Sequence, residues 1–232
     1  MTTSTNEEMT AKATGGAIAD ALTLIRILLT PIVMGLIYLA WSRTEDGLLY
    51  IDVKMTAFAS FLFVIAALSD IFDDYFGGTA KSAYRKLGYL DDMADTILVV
   101  GVLVMLLYVI KKAGLLAWPL AIPAGIIILR EIIVGLFKGF ELSRYDVPDT
   151  LLSNLKTAAI MLGTCLLLAS PWLTQWIDVY RANEANVMSV FDQASPLVWM
   201  AGQIVLWIGA VLSIFSAVRL FKTDFTHFLD ED

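Results

Sequence analysis

The sequence predicts an all-α integral membrane protein, a bundle of six transmembrane helices with both chain ends in the cytoplasm. Three observations carry this reading. Of the 232 residues, 58% are hydrophobic, where a soluble domain has about 45–50%. The excess is gathered into six apolar stretches at residues 18–41, 55–76, 91–110, 115–137, 155–176 and 197–221, each near the ~20 residues that a bilayer crossing needs. With the N-terminus cytoplasmic, eleven of the 16 Lys and Arg residues fall on the inner side and five on the outer, the bias that the positive-inside rule demands.

The elements follow in order. Residues 1–17 are a polar segment without the basic flank of a secretory signal, so the first apolar stretch is expected to stay as a span. Arg26 lies inside that stretch and needs an anionic partner there; the aspartate-rich segment that follows the second stretch is the obvious source. Gly77-Gly78 interrupts the chain after the second stretch, and Gly88 lies between Arg85 and Asp91. Pro148 falls in the connection between the fourth and fifth stretches, Pro171 is expected to end the fifth span, and Pro196 precedes the sixth. Pro31, Pro119 and Pro123 lie in or near spans, where a bundle tolerates a kink. Trp41, Trp118, Trp172, Trp176 and Trp199 all fall at predicted outer ends, as an interfacial belt would place them. Residues 18–221 form one membrane domain, and 222–232 an acidic tail.

The net charge of −7 and the lack of a basic tail argue against nucleic acid as a partner. Cys165 is the single cysteine, which excludes an intrachain disulfide and reads as a small core residue. His227, the single histidine, reads as solvated.

Residues 69–97, SDIFDDYFGGTAKSAYRKLGYLDDMADTI, hold six aspartates. Asp70 shares a helix face with Asp73 and Asp74, and Asp91 with Asp95, because residues three or four apart are neighbours on a helix. Two helix ends joined by a glycine-containing turn can bring these pairs face to face. Carboxylates packed that closely repel unless some are protonated or cations neutralise them. Oxygen donors without histidine or cysteine suit Mg²⁺, Mn²⁺ or Ca²⁺, and such ions commonly engage phosphate groups. The residues therefore suggest a metal-dependent, phosphate-handling site at the inner membrane surface. Solvated loop carboxylates and an ion or proton pathway are the other readings.

The spacing Asp70, Asp73, Asp91, Asp95 resembles the signature of the CDP-alcohol phosphatidyltransferases, D-x2-D-G-x2-A-R-x8-G-x3-D-x3-D, at all four acids. Asp74, Gly77, Gly78 and Leu87 stand where that signature has glycine, alanine, arginine and glycine. ALTLIRILLTP (21–31), LREIIVGLFKGF (129–140) and VPDTLLSNLKTAAIM (147–161) are similar to segments of the family's bacterial phosphatidylglycerophosphate-forming branch. Lys138 and Gly139 replace that branch's usual arginine and glutamate.

The resemblance implies a transfer from CDP-diacylglycerol to an alcohol, glycerol 3-phosphate first among them, with CMP leaving. It implies two Mg²⁺ or Mn²⁺ ions on Asp70, Asp73, Asp91 and Asp95, with Asp95 also the general base. Asp74, Gly77 and Arg85 become candidate donor contacts. Arg130, Lys138 and Lys156 become candidates for the acceptor's phosphate, while an ion pair with Glu131 is the other reading of Arg130. The resemblance further implies a homodimer in a bacterial inner membrane, its site facing the cytoplasm. A different acceptor, as in a cardiolipin synthase of this type, or a non-catalytic binding or assembly subunit are the alternatives.

Overall fold

The computed structural model describes residues 2–43, 49–77, 88–141, 151–184 and 197–229. Six helices carry the chain: α1 Thr2–Ala40, α2 Val53–Gly77, α3 Gly88–Lys112, α4 Trp118–Glu141, α5 Leu151–Glu184 and α6 Leu197–Leu229. Over the described residues, four helices are long and apolar enough to cross a membrane, at Gly16–Ala40, Met93–Lys112, Asn154–Ile177 and Leu197–Arg219. The α2 helix contributes a shorter apolar run, Val53–Ser69. The chain is an integral membrane protein built on helices. Helix α1 begins at Thr2, and its apolar part at Gly16.

One element was not expected. Between α1 and α2, β1 (Trp41–Arg43) pairs antiparallel with β2 (Leu49–Ile51), with Trp41 opposite Ile51. The signal for it in the sequence is Asp46-Gly47, a hairpin-turn dipeptide between two short runs that contain aromatic residues.

Local chemistry fixes the helix ends. Asp52 caps α2, its Oδ1 accepting the amides of Lys54 at 2.9 Å and Met55 at 3.1 Å, two donors that a helix start leaves without an intrahelical partner. At the end of α3, Gly114 takes φ 76°. The amide of Leu115 bonds the Ile110 carbonyl at 3.0 Å and that of Gly114 the Lys111 carbonyl at 2.9 Å. This is a Schellman closure, which needs a left-handed residue at the glycine position.

Pro171 does not end the fifth helix as expected; α5 runs through it to Glu184. A proline lacks the amide that would bond the carbonyl four residues earlier, here that of Leu167. Ser170 Oγ donates to that carbonyl at 3.0 Å, so the break is repaired within the turn. Pro123, inside α4, deprives the Pro119 carbonyl in the same way, and Trp207 Nε1 of α6 donates to it at 2.9 Å. In a membrane such repairs decide whether a proline breaks a helix or is absorbed.

Helix α1 packs against α2 and α3, α5 against α6 and α2, and α4 against α6 and α3. The shared core includes Phe63, Leu98, Leu103, Leu106, Ile127, Ile160 and Leu206. Large apolar side chains such as Leu28, Phe61, Leu129, Ile204 and Phe215 point outward, as a lipid-facing surface requires. Lipid tails are as apolar as leucine, so helix association in a bilayer relies on close packing. The α5–α6 contact shows it: a Cβ on Gly163 would lie 2.9 Å from the Leu206 amide nitrogen, and one on Gly209 2.8 Å from Ile160 Cγ1.

Candidate active site

The inner face of α1 is a stripe: Ala19, Thr23, Arg26, Thr30, Val33, Ile37 and Ala40 are all buried, spaced alternately by four and three residues. That spacing keeps one helix face turned inward. Two of its polar members are satisfied within the helix, Thr23 Oγ1 donating to the Ala19 carbonyl at 3.1 Å and Thr30 Oγ1 to the Arg26 carbonyl at 3.0 Å. Arg26 reaches across the bundle instead.

Arg26 is fully buried, and a buried charge persists only when paired and hydrogen-bonded. Its Nη1 forms an ion pair with Asp95 Oδ1 of α3, and its Nε donates to Ser69 Oγ of α2 at 3.3 Å. Ser69 Oγ in turn donates to the Ala66 carbonyl at 2.7 Å. One guanidinium therefore ties three helices together. It also brings the Asp95 carboxylate beside the residue that immediately precedes Asp70. The expected partner for Arg26 is thus found in the aspartate segment, and it is Asp95.

The remaining acids follow from helix position. Asp70, Asp73, Asp74 and Gly77 occupy the last turns of α2, and Asp91 lies in the first turn of α3, four residues before Asp95. Their side chains, and Arg85 altogether, lie outside the described residues. The side chain of Asp95 is 27% exposed, so its carboxylate is partly buried while Arg26 is wholly so. The donor set is all carboxylate and sits on two helix ends joined through Arg26, which offsets only one of the six negative charges in 70–95. That chemistry fits hard divalent cations. Among the described side chains alone, no group of three potential metal ligands is assembled.

A second polar cluster joins α4, α5 and α6. Glu131 Oε1 accepts from Lys156 Nζ at 2.8 Å and from Arg130 Nη1 at 2.9 Å. Arg130 Nη2 donates to Ser216 Oγ at 3.2 Å. Arg130 and Lys156 were expected to meet with Lys138 on one phosphate. The structure brings the first two together, on a carboxylate of the same chain. Lys138 lies two turns further along α4, its side chain outside the described residues.

Sequence reasoning missed Ser69 and Ser216, and it read Glu131 only as a neighbour of Arg130. The usable signal was the small and polar stripe. The buried positions Thr56, Ala59, Phe63, Ala66 and Ser69 of α2 recur every three or four residues, so a serine or threonine in that series lies on the inward face.

Known proteins are similar to this chain in sequence. A family model described as CDP-alcohol phosphatidyltransferase matches residues 16–215. A Pseudomonas fluorescens protein named CDP-diacylglycerol–glycerol-3-phosphate 3-phosphatidyltransferase is 33% identical over 165 residues, 69% of this chain and 76% of its own length. Proteins of the same name are similar in Rickettsia typhi, at 27% identity over 89% of this chain and 96% of theirs, and in Salmonella choleraesuis, at 29% over 69% and 80%. The matched span takes in the Arg26 clamp, both acid-bearing helix ends and Arg130, Glu131 and Lys156, and on it the chain belongs to the CDP-alcohol phosphatidyltransferase family.

Proposed function

We infer that this chain transfers a phosphatidyl group from CDP-diacylglycerol to glycerol 3-phosphate, releasing CMP. Family membership and the names of its relatives support the reaction class and both substrates. The observation that carries the reading is the Arg26 guanidinium shared between Asp95 and Ser69, since it brings together the two helix ends that hold the signature acids.

In this reading Asp70, Asp73, Asp91 and Asp95 hold a pair of Mg²⁺ or Mn²⁺ ions. When bound, such ions supply positive charge against the donor's diphosphate and the departing CMP. Asp95 takes the proton of the acceptor hydroxyl, a contribution of about 10²–10⁴-fold for a well-placed base. Arg26 orients Asp95 for that step by fixing one carboxylate oxygen. Asp74, Gly77 and Arg85 line the nucleotide side. Arg130 and Lys156, with Lys138, receive the acceptor's phosphate. The lipid chains stay between helices while the head groups meet at the cytoplasmic ends of α2 and α3.

All six helices cross the bilayer, with both termini in the cytoplasm of a bacterial cell. The distribution of Lys and Arg supports this topology, and the family resemblance supports a homodimer in the inner membrane.

The test is CMP release by the purified protein with CDP-diacylglycerol, Mg²⁺ or Mn²⁺, and a panel of alcohols. Release with glycerol 3-phosphate is the expected result. Release only with another alcohol, such as phosphatidylglycerol, reassigns the acceptor. No release with any of them, beside an active control enzyme, overturns the enzymatic reading.

A further inference from the structure

The seam between α1 and α3 ends in a cluster that the transfer reaction does not use. Tyr38 of α1 and Tyr108 of α3 stack with ring centroids 6.2 Å apart and planes 24° from parallel. Lys112 holds its Nζ 5.1 Å from the centroid of the Tyr38 ring, within the range of a cation–π contact. Lys111 adjoins it, and both lysines are exposed in the last turn of α3. Neither forms an ion pair among the described residues. Both rings are about half exposed. The apolar part of α1 ends at Ala40 and that of α3 at Lys112, so each ring lies within about 6 Å of a span end. That is the layer of lipid head groups, where an apolar ring with a polar hydroxyl is favoured. Asp95 is near the other end of α3, roughly 26 Å away along the helix axis. Deeper in the bilayer, Ile97, Val104 and Tyr108 are exposed along one face of α3. There α1 stays close, since a Cβ on Gly101 would lie 3.0 Å from Met34 Sδ.

We propose that Tyr38, Tyr108, Lys111 and Lys112 bind the phosphate of an anionic phospholipid, with an acyl chain laid along Val104 and Ile97. Charge complementarity selects this occupant. The chain carries a net charge of −7, and two adjacent cations without a carboxylate are a local exception to it. The Tyr38 ring holds Lys112 at one place, so less side-chain freedom is lost when the phosphate binds. A zwitterionic lipid brings its own cation, which competes with the lysines for its phosphate. The apolar face below the lysines matches the other half of the same ligand. The site lies on α1 and α3, the helices that carry Arg26 and Asp95, so an occupant stabilises their contact from the opposite end. This inference needs the membrane fold and does not rest on the phosphatidyltransferase reading.

The experiment is thermal unfolding of the full-length protein in a neutral detergent, with phosphatidylglycerol or phosphatidylcholine added at equal concentration. Wild type should gain about 3 °C or more from phosphatidylglycerol over phosphatidylcholine, because a ligand of the folded state stabilises it by mass action. Lys111→Gln/Lys112→Gln should lose at least half of that gain. Tyr38→Leu keeps both lysines but removes the ring under Lys112, and should lose part of it. Lys54→Gln removes another exposed cation at the same end of the bundle and should keep the gain. Inorganic phosphate at the same concentration should give none. Equal gains from the two lipids, a gain from inorganic phosphate, a full gain in the lysine variant or in Tyr38→Leu, or an equal loss in Lys54→Gln overturns the proposal. A lipid-independent dimer that the lysine variant dissociates assigns the face to a second copy and overturns it too. If Tyr38→Leu does not fold, the lysine variant, altered only at exposed positions, decides.

Discussion

Arg26 on α1 and Asp95 on α3 form an ion pair across 69 residues of sequence, and the same guanidinium donates to Ser69 on α2. Arg26 is wholly buried, whereas Asp95 keeps 27% of its side chain exposed. The pair is therefore asymmetric: the arginine is enclosed by protein, and the carboxylate is partly exposed.

That asymmetry separates two substitutions. Arg26→Gln removes the charge that holds Asp95 and weakens the tie to Ser69, so turnover should fall by about 10²-fold or more, the scale of a misplaced catalytic group. Arg26→Lys keeps a cation but not the fork that spans both partners, and should recover only part of the loss. CMP release, normalised to the protein that elutes as a folded peak in size-exclusion chromatography, reads both. Wild-type turnover in Arg26→Gln would remove the clamp from the account.

Asp95→Asn preserves a hydrogen-bond acceptor for Arg26 while abolishing the base. Turnover should drop by about 10²–10⁴-fold in a protein that still elutes as a folded species. Full activity would show that another group takes the acceptor's proton.

Ser170 and Pro171 make a prediction about stability. Ser170→Ala removes the hydroxyl that bonds the Leu167 carbonyl, at a cost of about 1 kcal/mol. Pro171→Ala restores the ordinary helical amide, so Ser170→Ala should cost less in that background. Thermal unfolding of the four proteins of this cycle in one detergent reads the coupling. Equal costs in both backgrounds would show that the hydroxyl does not compensate for the proline.

Close approach of α5 to α6 is tested at Gly163. A Cβ there would lie 2.9 Å from backbone of Leu206, so Gly163→Ala forces the helices apart and should destabilise by about 1–3 kcal/mol. Gly35, where a Cβ would meet nothing within 4 Å, should accept Ala at no such cost. Comparable losses at the two positions would contradict the close packing.

What the sequence made legible was set by chemistry that works over short range. Apolar runs announced the helices because a bilayer crossing needs length and hydropathy. The four-acid spacing announced the two helix ends, and a lone arginine in an apolar run announced its need for an anion. The partner's identity depended on how α1 packs between neighbours, which composition does not encode. Pro171 misled because a proline's effect depends on whether something nearby can satisfy the orphaned carbonyl, and Ser170 does so from the adjacent position. The convergence of Arg130 and Lys156 was anticipated, but not on Glu131. A 25-residue separation is closed only by tertiary packing of α4 on its neighbours. The hairpin at Trp41–Ile51 was visible only as a turn dipeptide, too weak a signal beside the spans that flank it.

The account's central claim is that the acids of α2 and α3 form one divalent-cation site. Mn²⁺ binding to the full-length protein, followed by electron paramagnetic resonance, tests it most directly. The account predicts saturable binding by wild type, strengthened by CDP-diacylglycerol, and its loss in Asp70→Asn/Asp91→Asn with the protein still folded. Binding by that variant equal to wild type, or no saturable Mn²⁺ binding by wild type in the presence of the donor, would contradict it.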